Sequence, residues 1–507
     1  MLSECVAYHA RARPGKTACL DVATGTRMTY AGLHLRSLRM AAALDRLAGP
    51  GAVSGARVAV LGRNSLDLVG LHLACRHLGA IFVPLNWRLS AAELAALVQL
   101  AAPLLLIVDG EFAPVAARLR DAAPGAQVLE LGRDGSLEWH VARCMDTGVI
   151  PAMSGDQRLV TLLFTSGTTG RPKAVMVTDG NATATARNYG LSVGVDSDSV
   201  FLCDMPMFHV VGLFTVTNTV LQAGGTLLIS AQFSAAETLD RIADRALGIT
   251  HYFCVPQMAR ALRDHAAFDP QSFQRLKAMQ TGGAPHSAEA VRAWIEDGVS
   301  CVDGYGMTEV GTALGMPPDD LELLRRKAGS VGLPAVSIEV RLVDRAGRDV
   351  TADGAGEIWL RGPSVTPGYW QDTEASQAAF RDGWFRTGDV ARRDADGFFT
   401  LMDRWKDMFI SGGENVYPAE VEAVLQELPG VREAAVIGVA DERWGEVGAA
   451  YLVLAADAHL TLDEVQARCR ARLAGYKIPR QLHLVEALPR TSLGKVRKDA
   501  LRTGRES

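Results

Sequence analysis

The chain has 507 residues, 48% of them hydrophobic and 21% charged, with a formal net charge of −5. That length implies several domains, and the apolar share excludes a disordered chain. The mild negative charge excludes a nucleic-acid partner and an anionic membrane surface, because no general positive field is present to draw in phosphate polymers.

In chain order, Arg57–Leu61 reads as a buried strand. A helical pattern through Leu66, Val69, Leu71, Leu73 and Ala74 follows, and then a second strand from Ala80 to Pro84. Leu104–Asp109 and Thr226–Ser230 repeat the strand pattern, so the alternation predicts an α/β fold with largely parallel sheets. The most apolar run, 94–108, is broken by Gln99 and Pro103 and falls short of the ~20 residues that span a bilayer; no integral membrane segment is expected. The start of the chain shows no leader pattern, and the cysteines form no C-x-x-C pair and no zinc spacing with histidine. A cytoplasmic protein is expected. Past residue 390, Asp394-Ala395-Asp396-Gly397 predicts a hairpin turn ahead of a strand from Phe398 to Leu401. A helix from Pro418 to Leu428 and a strand from Ala434 to Val439 are expected in a compact last segment. The basic residues Lys495, Arg497, Lys498, Arg502 and Arg505 read as a solvated tail.

The most informative stretch is Leu162-Leu163-Phe164-Thr165-Ser166-Gly167-Thr168-Thr169-Gly170-Arg171-Pro172-Lys173. An apolar strand runs into a loop with two glycines, four hydroxyl residues and a lysine. Glycine lets the backbone come close to an anion, and successive N–H groups and hydroxyls can ring phosphate oxygens. The pattern is not a Walker loop, and Pro172 directs Lys173 into an extended segment rather than a helix.

Thr165 to Lys173 resembles the phosphate loop of the adenylate-forming superfamily, which includes acyl-CoA synthetases, firefly-type luciferases and peptide-synthetase adenylation domains. Ala174 departs from it, standing where the family has glycine. The resemblance implies that Thr165, Ser166, Gly167, Thr168, Thr169, Gly170 and Lys173 bind the ATP phosphates, with Lys173 also catalytic. Asp303-Gly304-Tyr305-Gly306-Met307-Thr308-Glu309 resembles the family's nucleotide and metal motif. There a Gly-Tyr-Gly turn passes beneath adenine, Tyr305 stacks on it, Thr308 bonds the α-phosphate, and Glu309 joins Thr165 in holding Mg²⁺. Gly282-Gly283-Ala284-Pro285, after Thr281, resembles the adenine loop, and Phe385-Arg386-Thr387-Gly388-Asp389 the ribose motif, with Asp389 as acceptor for both hydroxyls. Asp403 to Asn415 resembles the hinge and its glycine-rich sequel: Arg404 at the ribose, Lys406 as pivot, Gly412 and Gly413 along the pantetheine tunnel. Leu488 to Val496 resembles the motif of the catalytic Lys495. Arg88 and Trp444 are candidates for the coenzyme A nucleotide, although Arg88 can instead cap a helix starting near Ser90.

The fold implied by this resemblance is a large N-terminal domain over 1–402, made of doubly wound α/β subdomains and a β-barrel-like subdomain. A hinge at 403–407 and a small mobile α+β domain over 408–507 complete it. The activity implied is ATP-dependent acyl-CoA synthesis with ATP and coenzyme A as co-substrates and Mg²⁺ as cofactor; a ligase loading a carrier-protein thiol is the rival. Met205 to Phe214 resembles the acyl-pocket segment, with Phe208, His209, Val211 and Gly212 lining it beside Gly283, Gly306, Met307 and Gly311. It is almost wholly apolar, which favours a hydrophobic monocarboxylic acid, whether fatty, aryl or terpenoid. The glycines at 304, 306, 311 and 315 are expected to leave room for a wide pocket. A homodimer is compatible with all of this.

Overall fold

Apolar strands that lack inside/outside alternation, each followed by a helix, assemble here into sheets covered on both faces. The computed structural model describes residues 2–131, 137–144, 155–166, 172–284, 286–350, 354–404, 407–411, 414–470, 472–490 and 496–503. Packing divides the chain into two units, Met1–Glu339 with Leu360–Phe385, and Val340–Trp359 with Arg386–Ser507.

The first unit holds two large sheets. One has six strands in the order Gln127–Leu131, Leu105–Asp109, Arg57–Leu61, Ile81–Leu85, Leu159–Ser166 and Pro172–Thr178. Its first five strands are parallel and the last turns back antiparallel. The parallel arrangement requires crossovers, supplied by the helices Leu66–Leu78 and Ala91–Ala101 among others. The second strand starts at Ile81 rather than Ala80. Gly79 ends the preceding helix at φ 69°, and the Ala80 N–H bonds back to the Cys75 carbonyl instead of joining the sheet. Leu61, Val83, Leu97, Leu106 and Ala174 share the core of this layer.

The nine-stranded sheet has six parallel strands at its centre: Cys301–Met307, Ala278–Thr281, His251–Cys254, Val200–Cys203, Thr226–Ile229 and Thr17–Asp21. Gly311–Gly315 and Leu333–Pro334 extend one edge antiparallel, and Arg27–Thr29 the other. Ligand-binding loops in such sheets leave the carboxyl ends of the strands. At that edge lie 282–284, after Ala278–Thr281, and 308–310, after Cys301–Met307. Between the layers, Arg76 on the helix Leu66–Leu78 pairs with Asp179 at the start of the helix Asp179–Val193, both essentially without solvent contact. Burial works against the ionised Asp179, yet the Arg76 and Arg158 guanidinium groups hold its carboxyl below the usual range.

In the second unit the predicted turn closes as expected: the Gly397 N–H donates to the Asp394 carbonyl at 3.0 Å, with Gly397 at φ 89°. It joins Trp384–Arg393 to Phe399–Arg404, part of a five-stranded sheet that supplies the barrel-like element. Another five-stranded sheet, built on the hairpin of Val431–Asp441 and Gly445–Leu454, carries the helices Pro418–Gln426 and Leu462–Arg470. Val421, Leu425, Val436, Leu452 and Val465 form their common core. Among the described residues no helix is long and apolar enough to cross a membrane.

Candidate functional site

The strands Leu159–Ser166 and Pro172–Thr178 form a hairpin in which Thr165 stands opposite Lys173. Gly167, Thr168, Thr169 and Gly170, which follow the first strand in the sequence, lie outside the described residues, as does the side chain of Ser166. Ala174 is 1% exposed and its methyl belongs to the sheet core, so the departure from glycine is absorbed by packing rather than by the loop.

Lys173 reaches toward Tyr369, its Nζ 4.7 Å from the ring centroid. The Tyr369 hydroxyl donates to Oε1 of Glu309 at 3.1 Å. Burial, then the Glu309 charge, raises the phenol's pKa, so it stays a donor. Thr165, Lys173, Tyr369 and Glu309 are thereby linked across three segments of the first unit. Tyr369 was not singled out in the sequence. The only local sign of it is the Pro367-Gly368 pair ahead of two aromatics, and Gly368 there takes φ 141°. Glu309 is buried, with its carbonyl accepting the Thr366 N–H at 2.7 Å. With Thr308 and Gly311 it lines a cavity of about 10 Å³ that also touches Thr185, Val210 and Phe214.

Two expectations about glycine are corrected. Gly304-Tyr305-Gly306 is not a turn but the end of the strand Cys301–Met307, paired antiparallel with Gly311–Gly315 through a register shift between Tyr305 and Gly306. Nor do Gly304, Gly306 and Gly311 leave open space for a side chain, in contrast to Gly315. A Cβ on Gly304 would strike the Gln280 amide, one on Gly306 the Gly311 carbonyl, and one on Gly311 the Thr185 side chain. Gly212 likewise sits against the Pro206 carbonyl. Gly306 and Gly212 are small because backbone passes against backbone, Gly304 and Gly311 because a neighbouring side chain closes on them. Tyr305 is buried, its hydroxyl 3.8 Å from the Met307 sulfur. Gly282 lies beside the Gly304 carbonyl, Gly283 is exposed at φ 80°, Ala284 is half-buried, and Pro285 lies outside the described residues.

Asp303 is buried, with 5% of its surface exposed. Its Oδ1 accepts the Gly304 N–H at 3.0 Å and the Thr281 hydroxyl at 3.2 Å. Desolvation nevertheless pushes its pKa up to about 7.

In the segment 205–214, Asn64 fixes the backbone from both sides, donating to the Met205 carbonyl at 2.9 Å and accepting the Met207 N–H at 2.8 Å. Phe208 is buried against the His209 ring, 4.5 Å between centroids. Burial, then the nearby Arg88, drives His209 down to about 3, so the ring is neutral. Val211–Asn218 is a π-helix, a distortion no residue pattern announced. The Thr217 hydroxyl donates to the Gly212 carbonyl at 2.7 Å within it. Such widened turns concentrate at functional sites.

Arg88 does not cap the following helix; Ser90 does, accepting the Glu93 N–H at 3.3 Å in a capping box. The Arg88 guanidinium instead lies 4.5 Å from the Trp87 ring and 5.5 Å from Phe208, with Arg63 over Trp87 at 4.2 Å.

In the second unit, the Thr387 hydroxyl donates to the Ile358 carbonyl at 2.8 Å and accepts the Asp389 N–H at 3.0 Å. Asp389 stands opposite Arg404, whose side chain is outside the described residues. Trp444 lies at the tip of the long hairpin, between Arg443 at 5.4 Å and Arg480 at 5.3 Å from its ring. Those two arginines were not read from the sequence. Lys406, Gly412, Gly413 and Lys495 lie outside the described residues; a bridge between Arg490 and Val496 closes the segment that contains Lys495.

The family model of the AMP-binding enzymes matches residues 6–370, and that of the AMP-binding enzyme C-terminal domain matches 420–495. Feruloyl-CoA synthase of Amycolatopsis sp. is 38% identical over 493 residues, covering 97% of this chain and 96% of that protein. The long-chain-fatty-acid–CoA ligase FadD13 of Mycobacterium tuberculosis is 34% identical over 97% of this chain and 96% of its own. Among solved structures, O-succinylbenzoate coenzyme A synthetase of Bacillus subtilis in complex with ATP and magnesium ion superposes with a TM-score of 0.87. It is 30% identical, covering 98% of this chain and 99% of that one.

Proposed function

The chain belongs to the AMP-binding enzyme family as an AMP-forming acid–CoA ligase, and from that premise we propose that its acid is a hydrophobic monocarboxylate, aryl, fatty or terpenoid. The observation that carries this reading is the segment 205–214, apolar throughout except for a histidine that burial keeps neutral. A second carboxylate on the acid would need a cation there, and an α-ammonium an anion. Arg88 is the cation recorded against this segment, and we assign it to a coenzyme A phosphate, with Trp444 stacking on the coenzyme's adenine between its two arginines.

A carboxylate becomes an acyl donor only when its oxygen is made a leaving group, which attack on the α-phosphate of ATP achieves. The chain's part is electrostatic: it collects anions that repel one another. In this reading Lys173 and the 165–170 hydroxyls hold the phosphates, Thr308 the α-phosphate, Asp389 and Arg404 the ribose, and Lys495 bridges carboxylate and phosphate oxygens. Among the described residues no three His, Cys, Asp or Glu side chains form a ready metal cage. That suits Mg²⁺, which takes one or two protein oxygens and fills its shell with phosphate and water. Glu309 and Thr165 fit as those oxygens; the bound ion supplies charge neutralisation on the triphosphate. We further propose that 1–402, 403–407 and 408–507 act as body, hinge and mobile domain, so that Lys495 serves adenylation and Gly412 and Gly413 serve thioester formation.

Pyrophosphate exchange over a panel of acids tests the substrate class. Hydroxycinnamic, arylacetic and medium-chain to long-chain fatty acids are to be compared with malonate, succinate and α-amino acids. Exchange fastest with an apolar acid, and coenzyme A outperforming a holo-carrier protein as acceptor, is the expected result; preference for a dicarboxylate or an amino acid refutes it.

A paired substitution separates the two roles once open to Arg88. Ser90→Ala is expected to cost about 1 kcal/mol of stability, read as a lower denaturation midpoint, with KM for coenzyme A unchanged. Arg88→Ala is expected to leave the midpoint in place and raise KM for coenzyme A about tenfold, with pyrophosphate exchange intact.

A further inference from the structure

Thr281 ends the strand Ala278–Thr281 and Asp303 lies on the neighbouring parallel strand, with the two residues in register. The Thr281 hydroxyl has one proton, and it is 3.2 Å from Oδ1 of Asp303; the Val302 carbonyl is farther, at 3.5 Å. Five residues on, His286 turns back so that its Nδ1 is 3.0 Å from the same hydroxyl oxygen. A hydroxyl that gives its proton to a carboxylate can only accept from the imidazole, so Nδ1 carries the hydrogen. Burial keeps the ring neutral, its pKa down to about 4. The result is a directed chain: His286 Nδ1–H to Thr281 Oγ1–H to Asp303 Oδ1. The Gly304 N–H adds a second donor to that oxygen at 3.0 Å. Among the described residues Oδ2 accepts no hydrogen bond, so both donors of the network converge on one carboxylate oxygen and leave the other for a ligand.

We propose that His286 is a positioning residue for the nucleotide, orienting Asp303 through Thr281 so that the second carboxylate oxygen accepts the amino group of the purine. The inference rests on the reading that ATP binds against 282–284 and 303–309. It also makes this pair a determinant of base choice: an acceptor here pairs with the amino group of adenine and repels the carbonyl that guanine carries at the same place. Hydrogen bonds to an ionised carboxylate favour its charged form, so the chain opposes the desolvation that drives Asp303 toward protonation near neutrality. Facing Asp303 are the thiols of Cys254 and Cys301, which burial keeps protonated, and His286, which is neutral; no charged side chain is among the causes of its shift.

The test is pyrophosphate exchange with ATP and GTP across pH 6 to 9 for the wild type, His286→Leu, His286→Asn and Asp303→Asn, with thermal midpoints for each. His286→Leu is expected to raise KM for ATP about tenfold with kcat changed by less than about threefold, the scale of one charge-assisted hydrogen bond. It should narrow the ATP/GTP preference. The sign of the pH effect follows from the donor lost: Asp303 protonates more readily, so the rise in KM seen as pH falls begins at a higher pH. His286→Asn keeps a donor at the place of Nδ1 and is expected to restore KM and the pH midpoint. If His286→Leu leaves both unchanged while Asp303→Asn raises KM for ATP, the histidine only packs and the proposal falls. Equal rises in KM for ATP, acid and coenzyme A with a lower midpoint in His286→Leu also overturn it. If Asp303→Asn itself leaves KM for ATP unchanged, the nucleotide reading of this segment is what fails.

Discussion

Replacing Lys495 by alanine is expected to slow pyrophosphate exchange by about 10³-fold or more, the scale on which a single mobile cation acts in phosphoryl transfer. Thioester formation from synthetic acyl-adenylate and coenzyme A should stay within about threefold of the wild type, since a lost transition-state contact lowers only the step that uses it. The physical reason is charge. Attack of a carboxylate on a triphosphate brings anions together, and a lysine bridging the two reacting groups neutralises the repulsion only while they react. The core of the C-terminal sheet draws on residues between Phe409 and Leu482, outside the stretch of sequence that carries Lys495. Measuring the two half-reactions separately decides it. Equal loss in both refutes the assignment of Lys495 to adenylation.

Glu309→Gln is expected to lower pyrophosphate exchange by about 10²- to 10³-fold, because an amide of the same shape keeps a weak oxygen ligand but loses the charge that attracts a divalent ion. Glu309 is well suited to such a test. Its carbonyl is tied to the Thr366 N–H and its Oε1 to the Tyr369 hydroxyl, so the side chain is held in place and a change of charge is not confounded by a change of position. Part of the loss should be recovered by raising magnesium, a response that a merely structural defect does not give. Exchange at the wild-type rate, or a loss indifferent to magnesium, removes Glu309 from the metal's shell.

Much of this chain is legible along the line of the sequence. The strand Arg57–Leu61, the helix after it and the hairpin at Asp394–Gly397 stand where apolar runs and turn residues put them, since each depends on backbone preferences spread over a few neighbours. The phosphate-loop string stands out in the sequence for the same reason: its glycines, hydroxyls and lysine are contiguous, and the anion-binding role proposed for it needs no distant partner. The second strand differs by one residue, because Gly79 spends one more residue leaving its helix.

Other features depend on what packs opposite, and no local pattern carries that. Gly304 and Gly306 look like turn residues in isolation; only the antiparallel neighbour Gly311–Gly315 makes them strand residues with no space for a side chain. Tyr369 joins Lys173 to Glu309 across stretches of 196 and 60 residues counted along the chain, a separation at which spacing says nothing. His286, ordinary in its own segment, gains a role because parallel strands in register bring Thr281 beside Asp303. Sequence alone thus pointed to the class of chemistry the chain carries and to the approximate place of its elements, both being local properties of backbone and side chain. Tertiary structure decided which groups meet, because close approach is a property of pairs of surfaces rather than of either segment that supplies them.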